Sequence, residues 1–246
     1  HNVVAMNTPG QNSDAVAELA LGMMVYAARV QFTGATGTEL KGKTLGIHAY
    51  GNVGRLVAEH AKGFGMNIMA YDPYPSPNLD VNYVTLDELI ANSDVISLHC
   101  PLTEQTKYII NERTLNMMKP NTVIINTSRG ALIDSKALLY ALHNKKIKGA
   151  GLDVYEEESD LFFEDNSDDI VHDDILALLI SLPNVIITSH QGYLTEEALG
   201  NIALITLKNL DDYFNDLPLV NEVCYHCIDA KNSQECFEKR KNICWK

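Results

Sequence analysis

The middle of the chain alternates between short apolar segments and helical segments, and this alternation constrains the fold more than any other feature. Because parallel strands need a crossover between them, strand and helix in turn predict a parallel sheet covered on both faces. The predicted strands are Thr44 to His48, Asn67 to Tyr71, Asp94 to Leu98, Thr122 to Asn126, Gly149 to Val154 and Val185 to Thr188. The predicted helices are Val53 to Phe64, Leu86 to Ala91, Glu112 to Met118 and a helix capped by Ser135 that runs to about Asn144.

A glycine-containing turn follows the first predicted strand. It reads Ala49-x-Gly51-x-x-Gly54, which differs from the dinucleotide-binding pattern Gly-x-Gly-x-x-Gly at its first position. Gly51 lets the backbone approach a pyrophosphate, and Gly54 lets the next helix pack closely on the strand. Asn52 and Val53 lie in the same turn, and Ala49 asks only that the turn accommodate one methyl group. The turn and the alternating elements predict an α/β fold with a Rossmann-type doubly wound parallel sheet.

Asp72 ends the second predicted strand. A carboxylate at this position accepts hydrogen bonds from both ribose hydroxyls and repels a 2′-phosphate, so the predicted cofactor is NAD rather than NADP. Taken alone, the incomplete glycine pattern also fits an ordinary strand-to-helix turn. The flanking strand, the helix and Asp72 favour the cofactor.

Three polar residues follow three of the predicted strand ends, where ligands bind in open parallel sheets. They are Arg129 in Asn-Thr-Ser-Arg-Gly, Glu158 after Gly-Leu-Asp-Val-Tyr, and His190 after Val-Ile-Ile-Thr-Ser. An arginine, a carboxylate and an imidazole are the groups needed to reduce or form a keto group next to a carboxylate. The alternative is structural: a salt bridge for Arg129, a surface carboxylate for Glu158 and a hydrogen-bonding histidine for His190.

The bulk composition excludes several classes of protein. A formal net charge of -13 repels phosphate backbones, which argues against a nucleic-acid partner. No apolar run reaches membrane-spanning length, so we expect no membrane partner. No signal peptide is visible, and the five cysteines are an odd number, so we expect reduced thiols and a cytoplasmic protein.

Segments outside the alternating region complete the chain. We expect a strand from Asn2 to Met6, a long apolar helix capped by Ser13 or Asp14 that ends near Arg29, and another helix from Thr195 to about Phe214. The remaining stretch, from Leu217 to Lys246, is a polar tail without a strand pattern.

The tail contains a cluster of possible metal ligands. Four thiols, those of Cys224, Cys227, Cys236 and Cys244, lie within it together with His226, and Cys-x-x-Cys is a common half of a zinc site. The second half lacks the close pairing that zinc sites show. An amphipathic helix that partly buries Cys236 and Cys244 is the alternative, and we favour a protein without a metal.

The motifs resemble those of the D-isomer-specific 2-hydroxyacid dehydrogenases over about residues 1 to 216. The runs that carry the resemblance are Gly42-Lys-Thr-Leu-Gly-Ile, Asn-Thr-Ser-Arg129-Gly-Ala-Leu-Ile-Asp, Gly-Leu-Asp153-Val-Tyr-Glu-Glu-Glu158 and Ser-His190-Gln. The stretches from Asp160 and from Ser189 resemble the D-lactate dehydrogenase branch. Residues 6 to 66 are somewhat more similar to the phosphoglycerate dehydrogenase branch.

The resemblance implies a domain organisation. It divides the chain into a coenzyme domain (1–192), a helix returning to a substrate domain (193–216) and the cysteine-bearing tail (217–246). The first segment of the family's substrate domain is missing from this sequence, so we expect either a fragment or a truncated product that does not turn over alone. In the family the long helix at 14 to 29 contributes to a dimer interface, which implies a homodimer.

The resemblance also implies roles for site residues. His190 would protonate the carbonyl oxygen, Arg129 would bind the substrate carboxylate, and Glu158 would hold the imidazole. Glu156 and Glu157 are its neighbours, but Glu158 matches the family glutamate, which stands five residues after the aspartate matched by Asp153. The implied cofactor contacts are Gly51, Asn52, Val53, Gly54, Asp72, Cys100, Pro101, Thr106, Thr127, Ser128 and Asp153, the last on the nicotinamide carboxamide.

The implied activity is NAD-dependent reduction of a 2-oxo acid, with pyruvate and D-lactate favoured. Another enzyme of the family, acting on 3-phosphoglycerate or a different 2-hydroxy acid, is one alternative. The acidic stretch between Glu156 and Asp174 argues against a phosphorylated substrate. A second alternative, of another class, is a non-catalytic NAD-binding scaffold or corepressor, because such proteins can keep the catalytic residues.

Overall fold

A computed structural model describes residues 4–77, 80–157 and 173–223. These residues contain a seven-stranded sheet in which every neighbouring pair of strands is parallel. The strands are β1 (Thr44–His48), β2 (Asn67–Tyr71), β3 (Asn82–Tyr83), β4 (Val95–Leu98), β5 (Val123–Asn126), β6 (Gly149–Leu152) and β7 (Val185–Ile187). The spatial order is β3-β2-β1-β4-β5-β6-β7. The chain first adds strands on one side of β1, up to β3, and then crosses to the other side of β1 and adds β4 to β7. The switch point therefore lies between β1 and β4. This order confirms the predicted doubly wound parallel sheet.

Helices accompany the strands. The described α-helices are α1 (Ser13–Ala28), α2 (Asn52–Gly63), α3 (Leu86–Asn92), α4 (Glu112–Met117), α5 (Ser135–His143), α6 (Asp174–Ser181) and α7 (Glu196–Phe214). Two 3-10 turns occur at Val30–Phe32 and Gly130–Leu132. The strand and helix positions agree with the expected segments to within two residues, except for β3 and α6, which the sequence analysis did not predict.

The sheet is buried on both faces, as expected for parallel strands joined by helices. Leu45 and Ile47 of β1 pack with α1 and α2 residues in one core cluster. Ile96 of β4 and Ile124 of β5 pack in the cluster on the other face, together with α3 residues such as Leu89. Successive strand residues point to opposite faces, so continuous runs of apolar residues fill both cores.

Side-chain caps fix the starts of several helices. At α3, Thr85 Oγ1 accepts from Glu88 N at 3.3 Å and Glu88 Oε2 accepts from Thr85 N at 2.9 Å. At α5 the cap is Asp134, which accepts from Ala137 N at 3.0 Å, so the prediction of Ser135 as cap is wrong by one residue. Both residue types accept hydrogen bonds from free backbone N–H groups, and only the turn geometry decides between neighbours.

The chain divides into two compact units, Ser13–Tyr193 and His1–Asn12 with Leu194–Lys246. In the second unit, Asn209 Nδ2 donates to Asn7 O at 2.9 Å, and Asn209 Oδ1 accepts from Asn221 Nδ2 at 2.8 Å. Of the strand expected from Asn2 to Met6, the described part contains one antiparallel bridge, between Met6 and Glu222. The division into 1–192, 193–216 and 217–246 stays a prediction.

No helix among the described residues is long and apolar enough to cross a membrane.

Candidate active site

The turn after β1 leaves the N-terminus of α2 without a side-chain cap. Gly51 is the N-cap residue, with an extended backbone (φ -80°, ψ -156°), and no side chain accepts from the first N–H groups of the helix. A Cβ added to Gly51 would meet nothing within 4 Å, so the turn borders open space at this residue. Free N–H groups at the positive end of a helix dipole bind anions, and the turn therefore fits a pyrophosphate.

Gly54 serves packing. A Cβ added here would lie 2.3 Å from Ala49 O and 3.1 Å from Ile47 Cγ2, distances at which the helix must shift. Ala49 itself has a left-handed backbone, with φ +73°. The expectation that Ala49 needs only room for a methyl group is therefore wrong, because a Cβ also destabilises this backbone conformation.

Asp72 lies beside the same turn. Its Oδ2 accepts from Tyr50 N at 2.9 Å, and its Oδ1 accepts from Tyr74 N at 2.9 Å. These two backbone donors hold the carboxylate at the carboxyl end of β2, next to Gly51. Each carboxylate oxygen keeps a further acceptor site, which is what a pair of ribose hydroxyls requires.

Side-chain hydrogen bonds hold the segments that follow β4 and β5, and the first of them joins the two segments. Ser128 Oγ donates to Cys100 O at 2.7 Å, and Thr106 Oγ1 donates to Pro101 O at 2.7 Å. Burial raises the pKa of the Cys100 thiol to about 12, so the group is neutral and unreactive at neutral pH. Thr127 Oγ1 is buried and has no hydrogen-bond partner within the described residues, which fits a polar ligand group at this end of β5.

Asn126 supports the position of Arg129 and was not predicted. Its Nδ2 donates to Arg129 O at 2.8 Å, and its Oδ1 accepts from Ser128 N at 3.1 Å. The signal in the sequence was a polar residue at the end of the β-branched strand Thr-Val-Ile-Ile-Asn, where it is fully buried. The Arg129 side chain is exposed, and its Nη1 donates to Ser128 O at 2.7 Å. No ion pair joins Arg129 to a carboxylate within the described ranges, so its fork can face a ligand.

Asp153 organises the loop that carries His190. The buried carboxylate accepts from Thr188 Oγ1 at 2.5 Å and from the backbone N–H groups of Gln191 and Gly192, each at 2.8 Å. His190 N donates to the carbonyl oxygen of Asp153 at 2.7 Å, and His190 has a left-handed backbone with φ +53°. Asp153 thus connects the carboxyl end of β6 to the loop after β7. Thr188 is a second supporting residue that the sequence analysis missed.

The structure brings Arg129 and His190 to the same edge of the sheet, after β5 and β7, the two strands that flank β6. Glu158 lies outside the described residues. Its neighbour Glu156 is engaged elsewhere: it accepts from the Tyr108 hydroxyl and, at 3.3 Å, from Ser135 N at the start of α5. Those contacts hold Glu156 at Tyr108 and the start of α5, and Glu158 stays the prediction.

The four cysteines proposed as metal ligands also lie outside the described residues, as they fall after Val223. Within the described ranges, no three His, Cys, Asp or Glu side chains gather in a way that would hold a metal ion.

The strand order, the uncapped helix after β1 and the carboxylate at the end of β2 define the coenzyme-binding class of Rossmann domains. Comparison with known proteins agrees, because residues 20–192 match the family described as D-isomer specific 2-hydroxyacid dehydrogenase, NAD binding domain. The chain belongs to this family, and its cofactor is NAD.

Individual relatives show the extent of the match. The chain is 45% identical over 223 residues to D-lactate dehydrogenase of Escherichia coli (strain K12), covering 84% of this chain and 68% of the relative. It is 41% identical over 242 residues to D-lactate dehydrogenase kk1H of Curvularia clavata, covering 92% of this chain and 68% of the relative. The crystal structure of D-lactate dehydrogenase with NAD+ from Lactobacillus jensenii superposes with a TM-score of 0.84 at 29% identity, covering 90% of this chain and 72% of that one. The chain thus spans about two thirds of these proteins' lengths.

Proposed function

We propose that this chain carries the catalytic and coenzyme-binding residues of a D-lactate dehydrogenase, which reduces pyruvate with NADH to D-lactate and NAD. The observation that carries the proposal is that the exposed Arg129 fork and the His190 loop held by Asp153 lie at the same edge of the sheet, after β5 and β7. Two relatives that are 45% and 41% identical to this chain are named D-lactate dehydrogenases, which supports pyruvate as the substrate.

Each side chain has one task in the reaction. When bound, NADH supplies a hydride, and the carbonyl oxygen of the 2-oxo acid then needs a proton. His190 as imidazolium donates that proton, and Arg129 binds the substrate carboxylate with two charge-assisted hydrogen bonds. Glu158 favours the charged imidazole, because a nearby negative charge raises a histidine pKa.

The cofactor contacts divide along the sheet. Gly51, Asn52 and Val53 bind the pyrophosphate at the start of α2, Gly54 lets that helix pack close to the phosphate turn, and Asp72 binds the adenosine ribose. On the half of the sheet that begins with β4, the path to the nicotinamide is lined by residues that follow β4 and β5: Cys100, Pro101, Thr106, Thr127 and Ser128. Among the described residues, Asp153 Oδ2 accepts one hydrogen bond, from Gly192 N, so it retains an acceptor site for the nicotinamide carboxamide.

Replacement of His190 tests the proposal. We expect His190→Ala in the complete enzyme to lower turnover of pyruvate by about 10²- to 10⁴-fold, the usual contribution of a positioned acid, with an unchanged Kd for NADH. His143→Ala is the matched control, because His143 is exposed at the end of α5, and it should leave turnover unchanged. Turnover is followed by loss of NADH absorbance, and the Kd by fluorescence titration.

The same assay separates the alternatives. Unchanged turnover in His190→Ala would remove this residue from the reaction. Turnover of 3-phosphohydroxypyruvate or a larger 2-oxo acid in preference to pyruvate would indicate another activity of the family. Binding of NADH without turnover of any 2-oxo acid would indicate a scaffold.

We also propose a homodimer located in the cytoplasm. The resemblance assigns the dimer interface to the region of α1, where Tyr26 and Phe32 are exposed and their rings meet edge to face at 5.5 Å. Phe32 is 63% exposed, which is high for a large aromatic side chain. Analytical ultracentrifugation and cell fractionation test these two statements, and a monomer at all concentrations would contradict the first.

A further inference from the structure

His48 is a buried histidine at the end of β1, in the centre of the sheet. Only 2% of its surface is exposed. It is in register with Tyr71 of β2 and Leu98 of β4, and the rings of His48 and Tyr71 are 5.1 Å apart. The chain changes direction between β1 and β4, so His48 ends the strand at the switch point, where nucleotides bind in doubly wound sheets.

The hydrogen-bonding capacity of the His48 ring is unused within the described part of the chain. Neither Nδ1 nor Nε2 has a hydrogen-bond partner among the described residues. The carbonyl oxygen of His48 itself, which acts to raise the pKa of the ring, accepts from His99 N at 3.0 Å. Burial lowers the pKa of His48 to about 4, so at neutral pH the ring is uncharged and carries one donor and one acceptor. Buried, unsatisfied polar groups of this kind destabilise a fold, and an apolar side chain would fill the position without that cost.

The surroundings of His48 belong to the adenosine half of the coenzyme site. The residue that follows it, Ala49, begins the phosphate turn, and Ala49 N donates to Tyr71 O at 2.8 Å. Asp72 follows Tyr71, and its carboxylate accepts from Tyr50 N at 2.9 Å. His48 therefore lies between the ribose-binding carboxylate and the end of β4. Arg129 and His190 follow β5 and β7, on the other half of the sheet.

We propose that the His48 imidazole is a coenzyme-positioning contact that hydrogen-bonds the adenosine moiety of NAD. The ribose hydroxyls and the adenine ring offer both donors and acceptors, which match the one donor and one acceptor of a neutral imidazole. The contact orders the adenosine end, and through Ala49 the phosphate turn, without touching the nicotinamide. This inference rests on NAD as the cofactor.

Binding of ADP-ribose, which lacks the nicotinamide, tests the contact. We expect His48→Leu to raise the Kd of ADP-ribose and of NADH about three- to tenfold, the effect of one buried hydrogen bond. His48→Gln, whose amide donates and accepts, should restore part of the affinity. The control is His60→Leu on α2, which removes another histidine whose Nε2 is buried without a partner, and it should leave both Kd values unchanged. Isothermal titration calorimetry on the full chain measures binding, without any need for turnover.

The outcomes are distinguishable. An ADP-ribose Kd for His48→Leu within twofold of the unaltered chain would overturn the inference and leave the cofactor assignment standing. Failure of the unaltered chain to bind ADP-ribose would overturn both. If His48→Leu does not fold, the imidazole ¹⁵N resonances of His48 in the unaltered chain decide, with His48→Gln used for assignment. A change on addition of ADP-ribose supports the contact, and unchanged resonances overturn it.

Discussion

At the scale of single residues, the backbone of Ala49 is the clearest source of stored strain in the phosphate turn. A φ of +73° is unfavourable for any residue with a Cβ, and glycine adopts it freely. We expect Ala49→Gly to stabilise the protein by about 0.5–1 kcal/mol, the balance of relieved strain against greater freedom of the unfolded chain.

Urea unfolding measures this effect. Gly42→Ala is the matched reverse change, because Gly42 has φ +74° and an added Cβ would meet nothing within 4 Å. It should destabilise the protein by a similar amount. A lower unfolding midpoint for Ala49→Gly would contradict the strain argument.

His48 predicts a dependence of stability on pH. Burial lowers its pKa from 6.5 to about 4, against the opposing effects of its own carbonyl and the Asp72 carboxylate. The unfolded chain therefore takes up the proton first, and stability is lost as pH falls from 6.5 towards 4. Between about pH 7.5 and about pH 5.5 this loss amounts to about 1 kcal/mol, and His48→Leu should remove it.

The test requires unfolding curves at about pH 7.5 and about pH 5.5, for the unaltered protein and for His48→Leu. The groups that act on His48 are Asp72 at the end of β2 and His99 beyond the end of β4, with the Tyr71 ring against it. His99 also has a lowered pKa, of about 3, because it is buried and close to His48. His99 is present in the unaltered protein and in His48→Leu. If stability depends equally on pH in these two proteins, His48 is not the source of that dependence.

At the scale of elements, Asp153 holds the loop after β7. Three donors converge on its buried carboxylate, and Asp153→Asn leaves one of them facing an amide NH₂ group. We expect this change to destabilise the protein by about 2–3 kcal/mol, as for a buried charge-assisted hydrogen bond, and to loosen the loop that carries His190.

Amide hydrogen exchange at Gln191 and Gly192 reports on the loop, and urea unfolding reports on stability. Asp134→Asn is the control, because asparagine caps a helix as well as aspartate does, and α5 should keep its start. Unchanged protection at Gln191 and Gly192 in Asp153→Asn would contradict the assigned role.

Element positions were largely predictable from local sequence. The β-branched runs and the glycine turn specify strands and a crossover within a few residues of chain. β3 has two residues, which are too few to produce an alternating pattern in the sequence. It forms because Asn82 and Tyr83 pair with the neighbouring strand β2. The N-cap of α5 is Asp134 rather than Ser135, because both residue types can cap a helix and the local turn geometry decides between them.

At the scale of the whole molecule, NAD should stabilise the fold, since it binds only the folded chain. At a free concentration of about 100 times Kd, a ligand adds about 2.7 kcal/mol to the free energy of unfolding. We expect NADH to raise the melting temperature accordingly and NADPH to raise it far less, because the Asp72 carboxylate repels a 2′-phosphate. Differential scanning calorimetry measures the shift, and equal shifts with NADH and NADPH would contradict the role of Asp72.

The sequence by itself determined the class of fold, the cofactor and the residues placed at strand ends. Alternating elements fix a parallel sheet, and Gly51, Gly54 and Asp72 act through backbone geometry and charge that are local to a few residues. Only the tertiary structure decided which groups support them. The contacts of Asn126 with Arg129, of Asp153 with the His190 loop and of His48 with β2 and β4 join different strands. Such pairings depend on which strands lie side by side, and a linear pattern of residue types does not encode those distances.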